Sequence, residues 1–577
     1  MAHRKMLAGR GNHGRNSNSP ATVCTIVLDR YATEKGIMKF VFCGGDMRLV
    51  PFAIFTVALH WFFLLAQKPV SSSATTEKLG NVSFPISCSS AVRPEFDRAV
   101  ALLHSFQYAL AESSFGRVAE QEPQCAMAYW GEAMGLYHQL WNWPDEDTLK
   151  KGQDYIEQAL KVGAKTDRER SYIRAAADFY QSNPKMEPAA RIGAYSAAMA
   201  ETYRHYPEDS DATAFYALSQ LALDREGSPG ARKEAVAILT ELLTREPNHP
   251  GAAHYLIHAT DTTELAPQGL LAARRYAETA PSSAHALHMP SHIFSRVGLW
   301  KESIESNVAS SASAEYATRT GHDDQSQYQL HAMHYLLYAY LQMGRDGNAK
   351  RVIEGVGDIP KINDVDRDSD GSLMKAIYIM ETHRWEEASE LVPKAHTDSY
   401  SRMRIHWVRA IAESRLGNIF KAEEDFDKLR QDFSDLRKNR PSIPPASPLV
   451  LEAEAWLAHV RGKDREAVKI MREAVKVDEF SVDAENVPAN ELLGDLLLNM
   501  HESVPAREAY EAALKEAPNR FNSLYGAARA AQLGGDEDLA KSYFARLVAV
   551  ADPGTKRPEL QAAKEYLYKS RGMPIGS

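Results

Sequence analysis

The chain has 577 residues, of which 44% are hydrophobic and 25% are charged, with 33 Gly, 28 Pro and 4 Cys. This composition is typical of a folded protein and excludes a disordered chain, a collagen-like chain and a disulfide-framework miniprotein. Only one apolar run is long enough to cross a bilayer, which excludes a multi-span membrane protein. The net charge of −9 gives no excess of positive charge for binding phosphates, so we expect no nucleic-acid partner.

The N-terminal part of the chain reads as an export signal. Residues 49–66, LVPFAIFTVALHWFFLLA, carry no charge, follow Arg48 and precede a polar stretch, which is the layout of a secretory signal. Because 46 residues precede Met47, we interpret 1–46 as an untranslated or disordered extension and 47–75 as the signal peptide. The alternative is an uncleaved signal anchor, which would confine any membrane contact to this segment. In both cases the body of the chain is predicted to be exported, either periplasmic or secreted.

Two of the four cysteines lie beyond the signal. Cys88 and Cys125 form an even pair, and in an oxidising compartment such a pair predicts a disulfide. Two free thiols are the alternative. Cys24 and Cys43 lie upstream of the signal, and residues 76–91 are predicted to be a linker.

From residue 92 onward the sequence predicts an all-α body. Amphipathic segments of 12–18 residues alternate with turns that contain Pro, Gly, Asp or Asn, and strand-like alternation is nearly absent. A 34-residue period is visible near the C-terminus in Leu493, Gly494, Ala506, Tyr510, Ala513 and Pro518, followed by Ala540 and Phe544. The same spacing appears near the start of the body in Ala111, Phe115, Pro123, Tyr129 and Ala133.

This pattern resembles the tetratricopeptide repeat (TPR) family across roughly residues 92–550, with a closing helix at 557–571 and a tail at 572–577. The resemblance implies a right-handed solenoid of helix-turn-helix repeats over 92–571, whose first helices line a concave groove. Three segments further resemble a group of exported bacterial repeat proteins: CAMAYWGEAM at 125–134, HYLIHATD at 254–261 and HMPSHIFSRVG at 288–298. The acidic segment at 364–372 is predicted to be an inter-helix loop.

Histidines are concentrated in the central repeats. Nine of the 20 His lie between residues 249 and 334, and two H-x-x-x-H pairs begin 34 residues apart. A spacing of four places both imidazoles of a pair on one helix face, and packed neighbouring helices would bring the pairs together. The predicted metal ligands are His254, His258, His288 and His292, assisted by His285, His331 and His334.

Imidazole suits Zn, Cu and Fe, so the predicted cofactor is one transition-metal ion of this kind. Asp261 and Tyr338 are the expected outer partners of the ligands. Pro290 lies between His288 and His292 and is expected to kink the helix, which would take His288 off the face of His292. The alternatives to a metal site are a groove that binds a non-metal ligand and histidines that serve only the packing.

A second candidate surface lies at the N-terminal end of the repeats. His104 and His138 are 34 residues apart, and Trp130 and Tyr137 lie near the latter in an aromatic cluster. If the superhelix curls, the first and fifth repeats would face each other, and these residues would line the ligand groove. The alternative is that the neighbouring tryptophans only cap helix packing.

The sequence therefore predicts an exported TPR-like protein that binds a peptide, a protein or a small ligand in its groove, with a His-lined metal site in the central repeats. The alternative is a metal-dependent enzyme, an oxidoreductase or a hydrolase, that uses the same histidines. No GxSxG elbow, phosphate loop, dinucleotide fingerprint or HExxH appears in the sequence, so no catalytic residue is assigned.

Overall fold

The computed structural model describes residues 77–141, 143–181, 186–321, 323–440, 443–478 and 487–570. The predicted extension, signal segment and C-terminal tail lie outside these residues. From Lys78 onward the chain forms one compact unit. Within the described ranges, no helix is both long enough and apolar enough to span a membrane.

The described residues form 25 α-helices and no β-strand, which confirms the all-α prediction. The helices of the first half are α1 (Arg93–His104), α2 (Tyr108–Gln121), α3 (Ala126–Leu136), α4 (Glu146–Val162), α5 (Asp167–Phe179), α6 (Pro188–His205), α7 (Ser210–Arg225), α8 (Ala231–Arg245), α9 (Pro250–Thr260), α10 (Ala266–Thr279), α11 (Ala284–His288) and α12 (Pro290–Arg296). Those of the second half are α13 (Trp300–Thr320), α14 (Ser326–Gln342), α15 (Asp346–Gly355), α16 (Asp364–Thr382), α17 (Ser399–Arg415), α18 (Ile419–Asn439), α19 (Pro448–Val460), α20 (Asp464–Val477), α21 (Ala489–Asn499), α22 (Ser503–Glu516), α23 (Phe521–Leu533), α24 (Glu537–Val550) and α25 (Pro558–Ser570). Two short 3-10 helices cover Val356–Asp358 and Trp385–Glu390.

The helices stack as TPR-like hairpins. Consecutive helices pack on each other, and the first helix of one hairpin also packs on the first helix of the next, as α3 does on α5, α7 on α9, α17 on α19 and α21 on α23. A single hairpin cannot bury its apolar face, so stacking of neighbours creates a continuous core. The predicted repeat fold is thereby confirmed.

Small residues of the repeat sit where an aromatic side chain is wedged between helices. A Cβ atom added at Gly494 would lie 2.8 Å from the Tyr510 ring, and one added at Gly526 would lie 2.3 Å from it. Phe115 is wedged against Gly131 in the same way, at 2.2 Å. Any larger residue at these glycines would therefore push the helices apart, which explains the 34-residue signature.

Both ends of the solenoid return to its middle. Helix α1 packs on α9, and α14 packs on α23. The Trp300 indole N–H donates to the Asn519 carbonyl at 2.8 Å, which joins two parts of the chain that are 219 residues apart. The first of these contacts places the end of α1 against the histidine-bearing face of α9, as the predicted curl of the superhelix requires.

Residues 77–91, predicted as a linker, have no helix but pack on the repeats. Leu79, Phe84 and Ile86 are buried, and the Asn81 backbone N–H donates to the Asn248 carbonyl at 2.9 Å. A disulfide joins Cys88 to Cys125, which confirms the predicted pairing. The segment is therefore part of the folded body.

The prediction of a loop at 364–372 is wrong. These residues form the first half of α16, where the Asn363 side chain accepts a hydrogen bond from the Asp366 N–H at 2.9 Å. Asp364 and Asp366 lie in the first turn of that helix. Acidic side chains at this position are stabilised by the partial positive charge of the helix N-terminus, so an acidic run here favours a helix start.

Candidate metal centre

Six histidines converge as two groups of three. The inner triad is His254, His258 and His285, and the outer triad is His288, His292 and His331. Within each triad, one ring nitrogen of every histidine lies within 4.8 Å of those of the other two. The triads adjoin, because the ring centroids of His258 and His292 are 6.4 Å apart and those of His285 and His288 are 6.5 Å apart.

Four helices supply the six side chains. The inner triad combines the i,i+4 pair of α9 with His285 of α11. The outer triad combines the last residue of α11 with one residue each of α12 and α14. Pro290 does divide α11 from α12, but Met289 between them keeps helical dihedrals, φ −53° and ψ −35°. The expected separation of His288 from His292 is therefore wrong, and their Nε2 atoms lie 3.0 Å apart.

In the inner triad the three Nε2 atoms point towards one another. The Nε2 of His254 lies 3.0 Å from that of His285 and 3.1 Å from that of His258. The Nδ1 of His254 lies 2.6 Å from the His104 carbonyl oxygen. Since a carbonyl only accepts, that Nδ1 carries the proton and the Nε2 of neutral His254 presents a lone pair to its neighbours.

In the outer triad, the protein fixes the proton of His288 on the side away from the cluster. The Asn307 amide N–H donates to the Ser303 carbonyl at 2.8 Å, which orients the amide oxygen towards His288. That oxygen lies 2.7 Å from His288 Nδ1, so Nδ1 donates to it. The Nε2 of neutral His288 therefore presents its lone pair to His292.

The proton of His292 is fixed in the same way. Its Nδ1 lies 2.9 Å from a carboxylate oxygen of Asp261, whose other oxygen accepts from Arg296 Nε at 2.8 Å. Burial alone would raise the pKa of Asp261, but His292 and Arg296 hold it well below its usual range. An ionised carboxylate only accepts, so Nδ1 of His292 donates, and in the neutral ring Nε2 presents a lone pair. Asp261 thus accepts a hydrogen bond from His292, one of the predicted metal ligands.

Two Nε2 lone pairs therefore face each other across 3.0 Å in the outer triad, with no proton available to bridge them while both imidazoles are neutral. Ligand nitrogens that lie about 2.0 to 2.1 Å from a tetrahedral zinc ion are about 3.3 Å from each other. The observed Nε2 spacings of 3.0 and 3.1 Å are close to that value. The pairs His254–His285, His254–His258 and His288–His292 thus have the spacing of imidazoles around an ion, and the other nitrogens of each triad lie within 4.8 Å.

Burial keeps these imidazoles in the form that binds metal. It lowers the pKa of His254 to about 3. It also holds the pKa values of His258, His285 and His288 well below the ordinary range, and the neighbouring histidines lower them further. The four side chains are therefore neutral near pH 7, and only a neutral imidazole has a lone pair for a metal ion.

A third buried group, formed by His104, Asp211 and His249, differs in its protons. The Nε2 of His104 donates to Asp211 at 2.9 Å, while its Nδ1 accepts from the Tyr255 hydroxyl at 2.9 Å. The Nδ1 of His249 accepts from the Ala252 N–H, so its Nε2–H faces Asp211 at 3.4 Å. Both histidines thus face a carboxylate with an N–H group, and only His104 makes a hydrogen bond to it.

Two predicted residues of the metal site lie outside the triads. His334 contacts Asp370, with His334 Nε2 3.0 Å from Asp370 Oδ1. Tyr338 is buried and its hydroxyl accepts from Arg520 at 2.6 Å, so it is no outer partner of a ligand. The tyrosine at the cluster is Tyr335, whose hydroxyl lies 3.2 Å from His292 Nδ1. The face of α14 towards the cluster is therefore 331/335, three residues before the predicted 334/338.

The predicted groove residues of the N-terminal repeats are also placed differently. Trp130 and Tyr137 are buried in the core, where Trp130 packs on Phe84 and Tyr137 on Phe179, so their predicted role in a groove is corrected. His104 is fully buried and reaches the inner triad only through its carbonyl group.

His138 is partly exposed and stacks on Tyr108 with ring centroids 4.1 Å apart. Burial lowers the pKa of His138 to about 4. Its predicted contact with a ligand stays a prediction.

Four residues around the triads went unnoticed in the sequence: Phe106, Asn307, Arg296 and Tyr335. Asn307 and Phe106 are isolated polar and aromatic residues far from the H-x-x-x-H pairs, and no spacing rule singles them out. Tyr335 had a signal, since it lies four residues after His331 and repeats the spacing of the pairs.

No protein-family model matches this chain, and no curated protein matches it. Solved structures similar to it include a tetratricopeptide repeat protein from Parabacteroides merdae, with 15% identity over 50% of this chain and 99% of that one and a TM-score of 0.29. Yeast Tom70 has 14% identity over 77% of this chain and 96% of its own, with a TM-score of 0.29. The human IFIT1 dimer with m7Gppp-AAAA has 13% identity, coverage of 78% and 94%, and a TM-score of 0.35. At these values the likeness carries no argument about a ligand or a partner.

Proposed function

We propose that this chain is a metalloprotein that holds two transition-metal ions, one in the inner triad and one in the outer triad. The observation that carries the proposal is the pair His288 and His292. Both donate their Nδ1 protons elsewhere, and in the neutral rings their Nε2 lone pairs face each other across 3.0 Å. A cation between them would turn this repulsive contact into two coordinate bonds.

Two ions replace the single ion that the sequence predicted. This number is supported by the grouping of the histidines, since His254 and His258 lie with His285, whereas His288 and His292 lie with His331. Three imidazoles per ion leave a fourth position open, as in catalytic zinc sites. An all-imidazole donor set favours Zn, Cu or Fe over Mg, Ca or Mn, and Cu²⁺ binds most tightly among the divalent ions of its series.

The predicted export also enters the proposal. The Cys88–Cys125 disulfide supports an oxidising compartment for the folded body, since such bonds persist in secreted and periplasmic proteins. We propose that the ions are acquired there. The open fourth position supports the alternative of a metal-dependent enzyme, and a protein or peptide partner remains a prediction from the repeat pattern.

The test is elemental analysis of the full chain after dialysis against Zn²⁺ or Cu²⁺ and removal of free ion. We expect two ions per chain, one in His258→Ala, one in His292→Ala and none in the double variant. His205→Ala, an exposed histidine outside the triads, is the control and should keep both ions. Circular dichroism should show unchanged helical content throughout. A wild-type chain that takes up neither metal would overturn the proposal.

A further inference from the structure

One aromatic ring contacts all three imidazoles of each triad. The Phe106 ring lies with its centroid 4.3, 5.4 and 6.0 Å from those of His254, His258 and His285. The Tyr335 ring lies 4.9, 4.7 and 5.4 Å from those of His288, His292 and His331. The two rings lie in equivalent positions against their triads. They differ in that only Tyr335 has a hydroxyl group, and the two triads differ in solvent exposure.

The backbone of Phe106 is held in an unfavourable conformation. Its φ is +54°, in the left-handed region that residues with a side chain rarely adopt. Such a conformation costs roughly 1 to 3 kcal/mol and persists only where the surrounding structure enforces it. Here the Phe106 carbonyl accepts from the Tyr328 hydroxyl at 3.1 Å, and the neighbouring carbonyl of His104 binds His254. The strained turn directs the phenyl ring onto the inner triad.

Further aromatic rings complete the wall of the inner triad. Trp141 lies 5.3 Å from the His258 ring, and Tyr276 stacks on His254 at 5.0 Å. Phe106 itself is 3% exposed, and His254 is 0% exposed. The Phe106 ring has no donor atom, and the Tyr276 hydroxyl donates to Ser105 at 3.2 Å. Water and ions therefore meet an apolar wall on this side.

The outer triad is the more exposed of the two, since His258 is the one inner histidine that is partly exposed. His331 is exposed, and the His292 side chain retains 12% of its accessible surface. The ring beside this triad belongs to a tyrosine, whose hydroxyl is 3.2 Å from His292. A ligand from solution thus has a path to the outer triad that does not cross the apolar wall.

We infer that an exogenous ligand binds at the outer triad alone and that Phe106 is the residue that closes the inner triad to it. This inference rests on the proposed pair of ions. A divalent ion among three neutral imidazoles keeps its full charge, so the ligand class is a small anion that occupies the open fourth position. The inner ion is then a shielded site, and the outer ion is the one at which ligands exchange.

The test uses the full chain loaded with Cu²⁺ and titrated with azide, followed by the azide-to-copper absorption band. We expect two copper ions and one azide per chain. In Phe106→Ala the azide count should rise to two, with the copper content unchanged. Phe106→Gly is the second variant, since glycine adopts a φ of +54° without strain and removes the ring.

Variants of the triads assign the bound azide. His331→Ala should lose the outer copper and the azide with it. His254→Ala should lose the inner copper and keep one azide, with an affinity within about threefold of wild type. The aromatic control is Tyr316→Ala, which removes an exposed ring outside both triads and should still bind one azide.

The outcomes separate the two proposals. Copper below one ion per chain refutes the metal centre itself. Two coppers with two azides in the wild type, or one azide retained in His331→Ala, would show that the inner triad is open and overturn the inference. A loss of azide affinity above tenfold in His254→Ala would show a ligand that bridges both ions, which also overturns it.

Discussion

Two buried polar clusters of this protein differ in how their polar atoms are hydrogen-bonded. The Arg520 cluster, formed by Arg520, Glu381, Glu491 and Tyr338, has no exposed guanidinium surface. Arg520 donates to Glu491 at 2.9 and 2.6 Å, to Glu381 at 2.8 Å and to Tyr338 at 2.6 Å. Donors meet acceptors throughout, and the cluster ties α23 to helices of the preceding repeats.

The six-histidine cluster is satisfied only at its rim. Three of its Nδ1 atoms reach the His104 carbonyl, Asn307 and Asp261, that of His285 has no hydrogen-bond partner among the described residues, and Nε2 atoms face one another inside. Buried polar atoms that complete each other stabilise a fold, whereas a buried polar atom without a partner is costly unless a proton, a water or an ion satisfies it. Burial and hydrogen bonding therefore do not by themselves distinguish a binding site from a structural cluster. The distinguishing feature is which ring nitrogens carry the protons.

The largest expected effect comes from breaking the self-sufficient cluster. Arg520→Met leaves Glu381 and Glu491 buried without their cation, so we expect the free energy of unfolding to fall by about 3 to 5 kcal/mol in urea titrations. Arg461→Met is the control, because its ion pair with Glu423 is about 40% exposed on both sides and should cost less than about 1 kcal/mol. Equal losses in the two variants would contradict the role given to the Arg520 cluster.

A smaller effect on stability is expected at Glu452, a buried carboxyl group that stays protonated in the folded chain. Its side chain is 2% exposed, and its Oε2 makes no hydrogen bond among the described residues. Burial raises the pKa of Glu452 to about 8, and the charge of Asp478 adds to the shift. Between pH 5 and pH 8 the unfolded chain has therefore released a proton that the folded chain retains, so this residue lowers stability as pH rises.

Glu452→Gln should remove that pH dependence. We expect it to stabilise the protein at pH 8 by about 1 to 3 kcal/mol relative to its effect at pH 5, measured by urea unfolding at both values. Glu454→Gln, on the same helix and partly exposed, is the control and should show no such difference. A Glu452→Gln variant with equal effects at both pH values would show that the wild-type carboxyl is ionised in the fold.

The smallest effect separates two histidines of one helix. His334→Ala should leave both metal ions in place, because His334 is bound to Asp370, whereas His331→Ala should lose the outer ion. Elemental analysis of the two variants side by side measures the difference. Loss of an ion from His334→Ala would restore the register that the sequence suggested and would remove His331 from the outer triad.

The sequence alone determined the repeat and one histidine pair of the candidate site. The 34-residue signature depends on contacts between neighbouring helices, such as the Tyr510 ring against Gly494, so a local spacing carries it. The pair His254 and His258 was likewise visible, because an i,i+4 spacing places two side chains on one helix face. The disulfide followed from an even cysteine count in the folded body.

Only the tertiary structure decided how the histidines group and which protons they carry. His254 is oriented by a carbonyl 150 residues away, and His288 by Asn307 on another helix. Which face of α14 meets the cluster depends on the path of the chain between α13 and α14, and that path places 331 rather than 334 there. Such contacts arise because the superhelix returns on itself, and no sequence period encodes the distance across that return.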